Sequence, residues 1–198
     1  MFCLMLFHSG KGKYPVPATE FSQCFLWEHW IIILILNTDA LIFFADQIVP
    51  MLRKKIRGQW RLRVVGTISQ KSWIKRLKEI SEMEFVGWVD DLGSEYSTAD
   101  VVIAPVRGGG GTRIKIPEAF AYGVSVISTS MGSAGLDVEN KIHLPIADDA
   151  EAFAEACLRL MTDSVLRDEI SRRAFDLAAS KYCPDIVTSA WSKLYDKT

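Results

Sequence analysis

The residues best placed to do chemistry lie between Pro105 and Gly123, in the run P-V-R-G-G-G-G-T-R-I-K-I-P-E-A-F-A-Y-G. Four consecutive glycines, Gly108 to Gly111, lead to two cations, Arg113 and Lys115, and then to one carboxylate, Glu118. Glycines carry no Cβ, so backbone N–H groups can approach an oxyanion closely. A helix that starts after such a loop adds unsatisfied N–H donors and the positive end of its dipole. Arg113 and Lys115 fall in the first turn of that helix, where cations oppose the dipole, and a bound polyanion reverses the penalty. The two oxygens of a carboxylate match the vicinal hydroxyls of a ribose. The chemistry on offer is therefore the holding of phosphate and of a diol. Gly109, Gly110, Gly111, Thr112 and Glu118 are the candidate binding residues. Each position also has a plainer reading: a loop that stays mobile, two solvent-facing cations, and a carboxylate in water.

The loop is not a dinucleotide fingerprint, because the third glycine of G-x-G-x-x-G would fall on Arg113 or Ile114. It is not a Walker A loop either, since no Gly-Lys-Ser/Thr follows. His8, His29 and His143 are scattered, and no Ser-His-Asp or Cys-His set is readable. Asp90 and Asp91 read as a helix cap rather than an acid/base couple. Cys3, Cys24, Cys157 and Cys183 are far apart, with no zinc-ligand spacing, and read as free thiols of a cytosolic protein.

The elements that must position these residues follow from periodicity. Apolar runs or alternations predict strands at Ile31–Leu36, Trp60–Gly66, Glu84–Val89, Val101–Ala104, Val124–Ser128 and Ile142–Ile146. Helical spacing predicts Thr38–Ile56, kinked at Pro50, then Ser72–Ser81, Leu92–Ala99, Ile114–Tyr122 ended by Gly123, Ala150–Met161, Val165–Tyr182 capped by Asp163 or Ser164, and Pro184–Tyr195. Strands alternating with helices define an α/β fold: a Rossmann-like open parallel sheet with helices on both faces. Ligands of such sheets sit beyond the carboxyl ends of the strands, where the glycine loop leaves Val101–Ala104.

The chain has 198 residues, 49% of them apolar, and a net charge of -1. That is enough for one buried core and gives no global pull toward nucleic acid or an anionic membrane. The basic stretch Arg53–Arg63 reads as a solvated helix end running into a strand. The opening seven residues lack the basic leader and cleavage site of a signal peptide.

Two segments carry a resemblance. F-V-G-W-V-D-D-L-G-S-E-Y-S-T-A-D-V-V-I-A-P, followed by G-G-G-T-R-I-K-I-P-E-A-F-A-Y-G-V-S-V-I-S-T, resembles the C-terminal domain of GT-B retaining glycosyltransferases of family 4, or group 1. N-T-D-A-L-I-F-F-A-D-Q-I-V-P-M-L and M-G-S-A-G-L extend the match to about residues 37 to 195. The resemblance implies that this domain holds a nucleotide-diphosphate sugar as donor substrate, with no further cofactor and no metal, while a separate N-terminal domain holds a saccharide or lipid-linked acceptor. It further implies a role in polysaccharide biosynthesis in the cytoplasm, with peripheral contact at the inner face of the membrane as an option.

In the family a Glu, seven residues and a second Glu contact the donor. Glu118 falls on the second, the ribose ligand, and Gly110 on the first, so the usual sugar-contacting carboxylate is absent. The family's Arg/Lys pair near the start of the domain is also absent, and Arg113 and Lys115 are expected to replace it by stabilising the leaving diphosphate. Phe85 to Trp88 are expected near the base. Half of a GT-B nucleotide-sugar epimerase and a non-catalytic or decayed nucleotide-binding fragment stand as alternatives.

Residues 1–36 are atypical for the family, and the domain proper is expected over 37–198. Read one base back, the codons available to Trp27–Leu36 permit Met-Gly-Ala-Leu-Asp-Tyr-Tyr-Pro-Asn-Thr, the pattern that the family shows there. The segment is therefore expected to be a frameshifted or truncated remnant, with residues 1 to about 25 packing poorly and the acceptor domain missing.

Overall fold

Five of the strands assemble into a single parallel sheet of order β3-β2-β1-β4-β5. The structure is a computed structural model and describes residues 29–34, 38–56, 60–66, 75–109, 113–183 and 186. The strands are β1 (His29–Leu34), β2 (Trp60–Val65), β3 (Met83–Gly87), β4 (Val101–Ala104) and β5 (Ser125–Ser128). β1 is the middle strand. Ile31 pairs in register with Leu62 on one side and with Val101 on the other. The sheet therefore begins before residue 37, within the segment read as atypical. The expectations for residues 1 to 25 and for a helix over Pro184–Tyr195 lie outside the described residues, Ile186 aside.

Alternation along each strand sends side chains to opposite faces. Val101 and Ile103 enter one core with Leu62, Val64 and Ile127, while Val102 and Ala104 enter the other with Val65 and Val126. The first core is covered by α1 (Thr38–Phe43), α2 (Val49–Lys55) and α6 (Ala150–Thr162), through Leu41, Leu52, Phe153 and Leu160. The second is covered by α3 (Leu92–Thr98) and α4 (Lys115–Ala121), through Tyr96, Ile116 and Phe120. The helix α7 (Ser164–Leu177) serves both, Ile170 entering the first core and Ala174 and Leu177 the second. Phe44, Phe120 and Phe153 are fully buried; each such burial contributes about 1.5–3 kcal/mol.

The kink expected at Pro50 takes the form of a π segment one turn earlier, Phe44–Ile48. Proline has no N–H and crowds the preceding turn. Here the Val49 N–H bonds back to the Phe44 carbonyl, so the helix widens by one residue and places Pro50 near the start of α2. Helix ends elsewhere follow the sequence signals. Asp91, Asp149 and Asp163 accept N–H bonds from Gly93, Ala152 and Leu166. Gly123, at φ +68°, turns the chain out of α4 while its N–H bonds to the Phe120 carbonyl.

The expected strand Ile142–Ile146 does not form. Residues 141–143 make a turn with Lys141 at φ +64°, and Ile146 makes a single bridge to Ser128. The run is too short to pair once the turn has taken its first residues. Of the expected helix Ser72–Ser81, the described part is helical only at 75–77 before turns lead into β3. The basic stretch is taken up in pairs: Arg53 with Glu82, Lys55 with Glu155, and Arg63 with Glu84 and Glu95.

Candidate functional site at the switch point of the sheet

From β1 the chain builds outward through β2 to β3, then returns to the other side of β1 for β4 and β5. The order reverses between β1 and β4, and the crevice beyond their carboxyl ends is where such sheets take ligands. Three layers of side chains define it.

The floor is a set of hydroxyls. Ser128 donates to the Ala104 carbonyl at 3.1 Å, and Thr129 donates to the Val106 carbonyl. Thr129 also accepts the Gly132 N–H at 2.9 Å and so caps the short helix α5 (Ser130–Ser133). These bonds tie the end of β5 to the end of β4. Gly132 is packed tightly: a Cβ there would lie 2.8 Å from the Ala104 carbonyl oxygen.

The glycine-loop side carries guanidinium groups. Arg107, three residues past β4, forms a two-pronged pair with Asp39 in the first turn of α1, at 2.7 and 3.1 Å. Its guanidinium lies 4.4 Å from the centroid of the Phe43 ring. Arg107 thus spans the switch point from the β4 side to the β1 side. Arg113 donates to the Met131 carbonyl at 3.0 Å and to the Gly109 carbonyl at 3.4 Å, which draws α5 and the glycine loop together. Gly109 sits at φ +107°, a backbone state open in practice to glycine. Gly110, Gly111 and Thr112 lie outside the described residues.

The third layer surrounds Glu118. Its side chain is only 14% exposed, so the plain solvent reading does not hold. Lys115 donates to Oε2 at 2.9 Å, and the Tyr96 hydroxyl donates to the same oxygen at 3.2 Å. Lys115, expected at the diphosphate, is placed here on the carboxylate instead. Tyr96 is wholly buried, and its ring stacks on Tyr122 with centroids 4.6 Å apart. Burial and the adjacent Glu118 carboxylate raise the Tyr96 phenol well above its ordinary pKa, so it remains a donor. The helix that carries Tyr96 is fastened to β2 by Glu95, which takes both prongs of Arg63 at 2.9 Å. Gly93 makes room for Tyr122, since a Cβ there would meet that ring at 3.2 Å.

The four residues expected near the base divide. Phe85 packs against the first core, whereas Trp88 stands 80% exposed just beyond Gly87, at the carboxyl end of β3. His143 serves the backbone, its Nδ1 accepting the Glu139 N–H. Among the described residues no group of three His, Cys, Asp or Glu side chains is arranged to hold a metal ion. Among the described residues Cys157 and Cys183 are not joined in a disulfide, and Cys157 is buried. No described helix is long and apolar enough to cross a membrane.

Sequence reasoning missed Arg107, Tyr96 and Thr129. Arg107 stood directly before the glycines and was overlooked because its partner, Asp39, is remote in sequence. Nothing local marked Tyr96. Thr129 ends the V-I-S-T run at the close of β5, where a hydroxyl after buried apolar residues was a usable signal.

The fold and site define an open parallel α/β domain of the Rossmann-like kind, with a fixed carboxylate and two guanidinium groups around the switch point where such sheets take ligands. The family model for group 1 glycosyl transferases matches residues 32–163, and the chain belongs to that family. The phosphatidyl-myo-inositol mannosyltransferase of Mycobacterium leprae is 29% identical over 126 residues, covering 59% of this chain and 32% of that protein. A glycosyltransferase structure from Rickettsia africae superposes with a TM-score of 0.74 at 19% identity, over 93% of this chain and 49% of that one. The Anabaena HepE structure, in complex with UDP and glucose, superposes with a TM-score of 0.72 at 14% identity, over 87% of this chain and 49% of that one. The chain spans 15 to 39% of the length of the curated relatives it matches.

Proposed function

We propose that this domain is the donor-binding half of a retaining glycosyltransferase. It takes a nucleotide-diphosphate sugar in the crevice between β1 and β4, and the sugar passes to a saccharide or lipid-linked acceptor held by a second, N-terminal domain. The observation that carries this reading is the Glu118 carboxylate, held by two donors on one oxygen at the edge of the crevice. Its other oxygen is available to a ribose diol. Arg107 and Arg113, which flank the glycine run in the sequence, lie on the phosphate side of the same crevice.

Transfer breaks the bond between the sugar C1 and the diphosphate oxygen, whose electron pair leaves with the diphosphate, while the acceptor hydroxyl oxygen bonds to C1 and its proton passes to the departing diphosphate. Fixed positive charge at that oxygen stabilises the ion-pair-like transition state. Arg113 and Arg107 supply it, and Lys115 joins them when it turns from Glu118. Arg107 brings a cation to the first turn of α1, near the place where the family's Arg/Lys pair is absent from the sequence. No metal and no further cofactor is required for this role. Trp88, exposed beyond β3, is the residue proposed to face the base. The protein would work in the cytoplasm, at or near the inner face of the membrane. Polysaccharide biosynthesis fits the names of its relatives, one of them an exopolysaccharide phosphotransferase of Streptomyces coelicolor.

A second reading is a nucleotide-binding module that does not turn over. Gly110, in place of the family's first carboxylate, favours it. A thermal-shift titration against UDP, GDP and ADP tests the main reading, with Glu118→Ala as control. Stabilisation by one nucleotide, lost in the control, is the expected result. No shift with any of the three would overturn a working donor site in this chain.

A further inference from the structure

We propose that Tyr96 is the positioning residue of the donor site: its hydroxyl fixes the Glu118 carboxylate so that Oε1 faces the ribose diol. This inference rests on the ribose role of Glu118. The two donors on Glu118 differ in character. Lys115 reaches it along a flexible chain that is 36% exposed, and screening weakens such a contact. Tyr96 has no exposed surface. Its ring is held against Tyr122, and α3 is held to β2 through the Arg63–Glu95 pair. The hydroxyl position is therefore set by the packing of the second core.

Both donors meet at Oε2. No buried polar side-chain atom among the described residues lacks a partner, so Oε1 belongs to the exposed part of the side chain. A carboxylate that swings freely would lose rotamer freedom on binding a diol. Here that freedom is lost on folding. The consequence is a preference for a ribose over a sugar lacking the two hydroxyls, set by a residue that touches neither.

The test uses the full chain and isothermal titration with UDP, GDP and ADP, each against its 2′,3′-dideoxy counterpart. The wild type should favour the ribose form of its nucleotide by about tenfold or more. Tyr96→Phe keeps the ring and its stacking. It should weaken the ribose form by about five- to tenfold and leave the dideoxy form nearly unchanged, so that the ratio approaches one. A Tyr96→Phe protein that binds both forms equally less well would show a structural role only and overturn the inference, as would an unchanged ratio. Should Tyr96→Phe fail to fold, Tyr122→Leu reads the same quantity. It keeps the hydroxyl but removes the stacking surface, and an unchanged ratio there overturns the inference. A wild type that does not distinguish ribose from dideoxyribose overturns the ribose role of Glu118, and this inference with it. A wild type that does distinguish them, beside a variant that does so equally well, overturns the inference alone.

Discussion

The two ends of the crevice are built on different principles. At the Glu118 end, the carboxylate is largely buried with one oxygen left open, and it is held by a buried ring on an anchored helix. At the glycine-loop end, Arg107 is exposed and Arg113 partly exposed, and both rest on stand-ins: a carboxylate of α1 for Arg107, backbone carbonyls among the partners of Arg113. A diol is neutral and is recognised by geometry, so on the proposed reading its partner gains from being fixed in advance. A diphosphate is recognised by charge, and cations kept on weak partners can be exchanged onto it at low cost. Packing should therefore govern selectivity for the ribose, and ionic strength should govern affinity for the phosphates.

The sharpest way to break this contrast is Tyr96→Ala. It opens a cavity beneath α3 and removes a donor to Glu118. We expect a loss of about 3–5 kcal/mol in chemical denaturation together with loss of nucleotide binding. Retained binding in a folded variant would show that the ribose end is not built in advance. Gly132→Ala should have the next largest effect. Its methyl group would collide with the Ala104 carbonyl, and about 1–3 kcal/mol of stability should be lost, with ribose selectivity intact. Arg107→Ala should leave the melting temperature within a degree or two while weakening diphosphate affinity by about tenfold at low salt. That difference should shrink as salt rises, whereas the ribose preference should not; titrations at two ionic strengths decide.

The smallest effect is a control far from both ends. Arg53 holds Glu82, just before β3, down at about 2, against an ordinary value of 4.5. Because the folded value is depressed, the pair stabilises fully above about pH 4.5 and loses its contribution as pH falls from there through about 2. Arg53 is 45% exposed, so the contribution is at most about 1 kcal/mol. Arg53→Gln should flatten that acid limb in pH-dependent melting and leave both binding ends unchanged.

The fold was legible where it depends on local chemistry. Period-two and period-3.6 runs located each of the five strands and most of the helices between them, and the aspartate caps and Gly123 marked helix ends. The strand expected at Ile142–Ile146 failed because a strand needs a partner, and only Ile146 reaches Ser128. The π segment before Pro50 was beyond a sequence reading, since the proline shows where a helix must adjust but not how. At the site, the candidate binding residues were readable as a cluster, because loop, cations and carboxylate are contiguous. Their supports were not. Asp39 reaches Arg107, and Tyr96 reaches Glu118, across long stretches of sequence that only the strand order brings together.

That strand order also bears on how the molecule is made. Among the described strands β1 comes first in the sequence, and its second side stays open until β4 is added. β2 follows it soon, but β4, which seals its other side, is added only after β3 and α3 are complete. Parallel pairings between distant segments form slowly. Until Val101–Ala104 emerges, an isoleucine-rich strand presents an unpaired row of N–H and C=O groups, the kind of edge on which chains add to one another. A product halted before that point would carry a three-stranded sheet with an open apolar border and no crevice. The same placement that puts the binding site in the middle of the domain thus makes the nascent chain most prone to aggregate just before the site can exist.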